Sequence, residues 1–295
     1  MESLVKNLPL VVIVGPTASG KTGLAIKLAK KVGGEIICAD SRTIYRGMDI
    51  GTAKPDLIEQ DGVAHWGIDV AEPSDRYTAR QFQDYAYRKI DEIRSRGHIP
   101  FLVGGTGLYV DCVIYRYEFP KPLDPTARSR MEGMTRQELY EYCINNNIEL
   151  PINDKNKRHL VHAIAHKGRI SKRNDCIDSN SIVVGISTEK NILLKRIQDR
   201  TEVMFASGVI DEARNLSKKF GWDAEAMKSN VYRSIKDYLE GRLSLEETKE
   251  SFRIRDWQLA KRQLTWFRRR PETNWLPLDE AYTYLAHEIA RRSES

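Results

Sequence analysis

Through its first ~100 residues the chain alternates short unbroken apolar runs with apolar positions at helical spacing. Leu10 to Val14 is wholly apolar and of strand length; Leu24, Ala25, Leu28 and Ala29 then recur on one helical face. Glu35 to Ala39 predicts a second buried strand, ending at Asp40. Thr78 followed by Gln81 is a capping box, Phe82, Tyr85, Ala86, Ile90 and Ile93 give the next helix one apolar stripe, and Gly97 closes it. Phe101 to Val103 predicts a third strand. Strands joined by helices of this length require a doubly wound parallel sheet.

The rhythm changes from about Tyr115 to Asn156, where prolines and polar residues surround one helical stretch, Gln137 to Asn145. This predicts a small helical insertion. The α/β pattern resumes at Ile182 to Ile186 and gives way to helices; Ser244 and Glu247 form another capping box, opening a helix that can run to Arg270 before Pro271. The expected organisation is therefore a core in two parts, residues 1–114 and 157–295, the second with C-terminal helices, split by an insert over 115–156. No internal repeat or low-complexity segment interrupts it.

Composition adds bounds. A chain of 295 residues with 41% hydrophobic and 30% charged residues has the means to bury a core, and its net charge of +6 suits an anionic partner only where Lys and Arg cluster. Cys38, Cys112, Cys143 and Cys176 lie far apart, without metal-ligand spacing or disulfide density, so reduced thiols in a cytoplasm are expected. Neither a signal peptide nor a membrane span is expected, since the apolar run at Leu8 to Val14 is only strand length.

Candidate chemistry enters where the first strand ends. Gly15-Pro16-Thr17-Ala18-Ser19-Gly20-Lys21-Thr22 follows a strand and opens a helix, the context in which G-x-x-x-x-G-K-[ST] cradles phosphates. Gly15, Thr17, Ala18, Ser19, Gly20, Lys21 and Thr22 are the expected diphosphate-binding residues: backbone N–H groups close on phosphate oxygens, Lys21 reaches the terminal phosphate, and the Thr22 hydroxyl can ligate Mg²⁺. The pattern cannot tell a nucleotide from another diphosphate. The third strand ends in Gly104-Gly105-Thr106-Gly107 rather than the acidic residue a motor ATPase needs, which leaves small-molecule kinases and other diphosphate-handling transferases.

Asp40 falls at the carboxyl end of its strand, where open α/β sheets place ligands, and could serve as a general base or as a turn or capping residue. Near the C-terminus Arg253, Arg255, Lys261, Arg262, Arg268, Arg269 and Arg270 interleave with Trp257, Trp266 and Phe267. That mixture fits a grip on single-stranded RNA, or equally core aromatics beneath a solvated charged face. Lys167, Arg169, Lys172 and Arg173 form a second basic stretch.

Five segments together resemble the tRNA dimethylallyltransferase family: GPTASGKT at Gly15 to Thr22, DSRTIYRGMDIGTAKP at Asp40 to Pro55, LVGGTGLY at Leu102 to Tyr109, RTEVMFASG at Arg200 to Gly208, and AKRQLTWFR at Ala260 to Arg268. They span nearly the whole chain in the family's order. The chain differs at Asp256-Trp257, where members usually carry Thr-Arg, at Val231, where glycine is common, and at His159 and His162, where arginines are usual.

The resemblance implies transfer of a dimethylallyl group from its diphosphate to N6 of the adenine next to the tRNA anticodon. It implies that Asp40 engages that amine, that Arg200 neutralises the departing diphosphate, that Thr106 lines the reaction channel, and that Mg²⁺ assists. As tRNA contacts it implies Asp40, Ser41, Arg42, Thr43 and Thr106; Arg128 in the insert; Lys157, Arg158 and His159; Lys228, Tyr232 and Arg233; and Lys261, Arg262, Gln263, Trp266 and Arg268. A monomer is expected. Read without the resemblance, the residues favour a small-molecule kinase, with a nucleotide-gated RNA-binding protein as a third possibility; the mass of the product separates the three.

Overall fold

The structure, a computed structural model, describes residues 8–119, 125–165 and 172–293. Two compact units emerge, one formed by residues up to Ile114 and from Ile177 onward, the other by Tyr115–Cys176.

The larger unit is built on six parallel strands: β1 (Leu10–Val14), β2 (Gly34–Cys38), β3 (His65–Trp66), β4 (Ile99–Gly104), β5 (Ser181–Ile186) and β6 (Asn274–Leu276), in the order β3-β2-β4-β1-β5-β6. Every residue of β1, β4 and β5 is buried, which is why those stretches read as continuous apolar runs rather than as alternation. β1 pairs with both β4 (Val12 opposite Leu102) and β5 (Val12 opposite Val183). Helix α1 (Lys21–Val32) carries the chain from β1 toward β2, whereas β4 leads away to β5 on the other side. The connections thus diverge between β1 and β4, the place where sheets of this kind bind ligands at their carboxyl ends.

The other helices are α2 (Ala79–Ser95), α3 (Gly107–Ile114), α4 (Pro125–Gly133), α5 (Arg136–Asn145), α6 (Lys157–Ala165), α7 (Lys190–Ala206), α8 (Val209–Phe220), α9 (Asn230–Leu239), α10 (Leu245–Phe267) and α11 (Leu278–Ser293). Both expected capping boxes form, at Thr78 with Gln81 and at Ser244 with Glu247, and a third joins Thr135 to Glu138. The α11 residues Ala281, Leu285 and Ile289 share one core cluster with Leu24 and Leu28 of α1. A second cluster joins Ile44, Tyr45 and Met48 to Ala213, Leu216, Met227, Tyr232 and Phe252, so the segment after Asp40 lies on a bed of C-terminal helices.

The structure departs from expectation at two boundaries and in two strands. The Tyr115–Cys176 unit passes the limit expected at Asn156, because Leu160, Val161 and Ile164 of α6 complete a small core with Leu139 and Cys143 of α5. α10 stops at Phe267, its last carbonyls capped by the Arg268 N–H, rather than running to Arg270. Strands β3 and β6, of two and three residues, were not expected at all.

Among the described residues no helix is long and apolar enough to cross a membrane. All four cysteines are free.

Candidate active site

The expected cradle residues form the loop between β1 and α1. Gly20 turns into α1 at φ 89°, a left-handed conformation in which a side chain would be strained and would also meet Leu278. Ser19 is fully buried, and its hydroxyl has no hydrogen-bond partner. Lys21 donates to the Pro16 carbonyl at 3.2 Å. Burial lowers its ammonium to about 8; Asp40 and Asp256 oppose that fall and Arg200 adds to it. Those three side chains are thus the charges whose fields act on the cradle's cation. Thr22, in the first turn of α1, is half-buried.

Two glycine-rich ends are pressed together. A Cβ on Gly104 would stand 2.0 Å from the Ala39 carbonyl oxygen, so β4 can end beside Asp40 only because that residue is glycine. Thr106 then ties the turns: its N–H donates to Ala39 O at 3.2 Å, and its hydroxyl accepts from Ser41 N–H at 3.0 Å and donates to Ser41 Oγ at 3.3 Å. Asp40 is half-buried, and its Oδ1 accepts the Arg42 N–H at 2.8 Å. Its turn therefore holds the carboxylate in place, and Oδ2 takes no hydrogen bond from the described residues. Cys38 is no rival nucleophile, because burial pushes its thiol up to about 12.

The C-terminal helices close over this floor. Gln263 of α10 accepts from Thr17 N–H at 2.8 Å through Oε1 and donates to Gly105 O at 3.0 Å through Nε2, so its amide spans the cradle and the Gly104–Gly107 turn. Trp266 donates from Nε1 to Asp111 at 2.9 Å while 38% of its surface stays exposed, and Arg270 pairs with the same carboxylate. From α7, Arg200 pairs with Asp256 of α10, and Arg196 donates to the Ser19 carbonyl at 3.1 Å.

Of the residues singled out in the sequence, Gly15, Thr17, Ala18, Ser19, Gly20, Lys21, Thr22, Asp40, Ser41, Thr106, Arg200 and Gln263 come together here. Lys261, Arg262 and Arg268 are exposed on or just beyond α10, and Lys228 and Arg233 are exposed nearby in sequence at α9. Arg42 reaches the Glu225 carbonyl at 3.2 Å. Two expectations fail. Tyr232 is fully buried and gives its hydroxyl to Glu212 at 2.6 Å, and Thr43 is buried beneath its loop, so neither offers RNA a surface. Lys157, Arg158 and His159 are exposed at the start of α6 in the smaller unit. The Arg128 side chain lies outside the described residues, as do Lys167 and Arg169.

Sequence reasoning missed Glu212, which accepts the backbone N–H groups of Asp49, Ile50 and Gly51 at 2.8–2.9 Å and so braces the segment after Asp40. It also missed Lys54, nearly buried between Asp49 and Asp69, and the buried Asp111, and it noted the buried Asp256 only as a departure from the family pattern. The available signal was an acidic residue within an apolar stripe: Thr248, Phe252, Asp256 and Ala260 lie four apart on α10, and all are buried.

A strand-loop-helix turn at the switch point of a parallel sheet, with charged helices packed against it, defines an α/β protein of the class whose loops can cradle a diphosphate. Within that class the chain belongs to the IPP transferase family, whose pattern it matches over residues 43–270, with an isopentenyl transferase match over residues 8–66. It is an enzyme of the prenyltransferase kind. The tRNA dimethylallyltransferase of Geobacillus kaustophilus is 36% identical over 304 residues, covering 96% of this chain and 95% of that protein. That of Acetivibrio thermocellus is 38% identical over 289 residues, covering 92% of each. The crystal structure of the full-length tRNA isopentenylpyrophosphate transferase from Bacillus halodurans superposes with a TM-score of 0.75 at 36% identity, covering 97% of both chains. A tRNA isopentenylpyrophosphate transferase from Staphylococcus epidermidis gives 0.72 at 29% identity, covering 96% of this chain and 99% of that one.

Proposed function

We propose that this enzyme takes the dimethylallyl group from dimethylallyl diphosphate and attaches it to N6 of the adenine beside a tRNA anticodon, releasing diphosphate. The observation that carries the reading is the facing of two chemistries across one floor: a diphosphate cradle under Lys21, and a carboxylate, Asp40, fixed at the end of β2 by its turn and by the Thr106–Ser41 bonds.

Adenine N6 is a weak nucleophile because its lone pair is delocalised into the ring. Asp40 Oδ2, accepting a hydrogen bond or the proton from that amine, raises its reactivity as the new N–C bond forms. Lys21 and Arg200 stabilise the negative charge that gathers on the diphosphate as the C1–O bond breaks. The base must leave its stack to reach such a floor, and the exposed Trp266 with Lys261, Arg262 and Arg268 supplies an aromatic and basic surface for an RNA loop. Asp40, Ser41 and Arg42 are assigned to the adenine side; Lys228, Arg233, Lys157, Arg158 and His159 are assigned to the RNA backbone.

The cradle fits Mg²⁺. The buried, unpartnered Ser19 hydroxyl is a donor awaiting a phosphate oxygen, and among the described residues no group of three or more His, Cys, Asp or Glu forms an all-protein metal cage. Mg²⁺ is characteristically held by one or two protein groups together with substrate phosphates, and Thr22 is the protein group at hand. Such an ion would supply further charge neutralisation at the leaving diphosphate.

Mass analysis of tRNA after incubation with dimethylallyl diphosphate tests the proposal. An isopentenyl mass increment confined to an anticodon-loop fragment is expected, and unmodified RNA with intact protein and substrate would refute it.

A further inference from the structure

An acidic side chain buried on the apolar stripe of a helix demands an explanation. Asp256 is 3% exposed, between Phe252 and Ala260 on the inward face of α10. Taking a carboxylate from water costs several kcal/mol unless it is paired and hydrogen-bonded. The pairing is with Arg200 of α7: Asp256 Oδ2 accepts from Arg200 Nη2. The guanidinium carries a further donor, Nε, which is buried and has no hydrogen-bond partner. Arg200 is thus held by Asp256 through Nη2 while its buried Nε–H is unmet by protein groups, a donor that an anion can satisfy. The cradle's Lys21 lies within the field of both side chains.

We infer that Asp256 is a positioning residue for the leaving group: from α10 it orients the Arg200 guanidinium so that the free N–H is presented to the diphosphate. The inference rests on the proposed function for the identity of the leaving group, and on the ion pair and the orphaned N–H alone for the orientation. It also gives α10 a double task, since the helix whose outer face carries Lys261 and Arg262 fixes the arginine with its inner face.

A simple electrostatic reading predicts the opposite of this inference, which makes the test sharp. Removing a negative charge beside an anion site should tighten anion binding, whereas loss of a positioning contact should weaken it. Titration calorimetry with inorganic diphosphate and Mg²⁺ on the full chain needs no prenyl transfer, so it stands apart from the mass analysis that tests the function. For Asp256→Asn, nearly isosteric but uncharged, a rise in Kd of roughly tenfold is expected, the scale of one hydrogen bond to a charged group. Asp256→Glu, which restores the charge, should recover most of the loss. An Asp256→Asn Kd equal to or below that of the wild type would overturn the inference.

Because Asp256→Asn leaves the half-buried Arg200 without its counter-charge, the same titration is run on Arg200→Gln alone and with Asp256→Asn added. If Asp256 acts through Arg200, the double variant binds diphosphate at least as tightly as Arg200→Gln. Weaker binding by the double variant would also overturn it.

Discussion

Asparagine in place of Asp40 keeps the shape of the side chain and the acceptor for Arg42 N–H, but it cannot take a proton. Asp40→Asn should therefore spare tRNA and diphosphate affinity while lowering the single-turnover rate by roughly 10²- to 10⁴-fold. A normal rate constant in a folded variant would reduce Asp40 to a turn residue. Lys21→Ala removes the cation from the cradle floor and should cost about 10²- to 10³-fold in turnover; a rate near that of the wild type would take the cradle out of the chemistry. Glu35 offers a test of stability far from these events. Burial alone would raise its pKa, but hydrogen bonds from Arg96, His98 and Trp66 outweigh that and hold it at about 2. A carboxylate with a depressed pKa stabilises the fold above its unfolded pKa near 4.5 and loses that contribution as pH falls toward 2. Glu35→Gln should cost about 2 kcal/mol at pH 7 by chemical denaturation, and the gap to the wild type should close over that acidic window. A gap of equal size at neutral pH and near the lower limit would show that the carboxylate's charge is not what matters.

Helix α10 shows what an element can and cannot reveal in advance. Its start was written in Ser244 and Glu247, because a capping box is a local device. Its end was not, because Pro271 only forbids continuation, whereas the stop at Phe267 depends on backbone that turns toward β6. The same distinction runs through the site. The cradle and Asp40 were legible, since each depends on a few consecutive residues at a strand end. Arg200 was expected, but its partner Asp256 was noted only as a departure from the family pattern, and Glu212 and Asp111 passed unremarked, because their partners lie far away in the chain and no periodicity encodes a pairing. Gln263 was assigned to RNA, yet its amide is engaged by Thr17 and Gly105. The exposed face of α10 is the part proposed for RNA, and Lys261→Ala with Arg262→Ala tests it. Their joint loss should weaken tRNA binding and flatten its salt dependence by about 0.7 to 0.9 in slope per phosphate contact, leaving diphosphate binding alone unchanged. An unaltered slope would make the face merely solvated.

At the scale of the whole molecule, the Tyr115–Cys176 unit has its own small core, and its two ends meet: Tyr115 O accepts from Asn174 N–H at 2.8 Å, and Glu118 N–H donates to Lys172 O at 2.9 Å in an antiparallel bridge. Replacing it by a short Gly/Ser linker should leave a folded core that binds inorganic diphosphate as before but has lost much of its tRNA affinity. Loss of diphosphate binding in a folded deletion would place part of the cradle's support in the smaller unit. The strand order has a consequence for synthesis. Among the described strands β1 is made first, yet one of its two neighbours is β5. At 5–20 residues per second the ~170 residues between Val14 and Ser181 take on the order of ten to thirty seconds to make. Throughout that interval the most apolar strand of the protein has an open hydrogen-bonding edge, a template for aggregation. Shelter of that edge until β5 emerges is therefore expected to favour correct folding, and the organisation that centres the phosphate loop in the finished enzyme leaves the strand before it open on one side through most of synthesis.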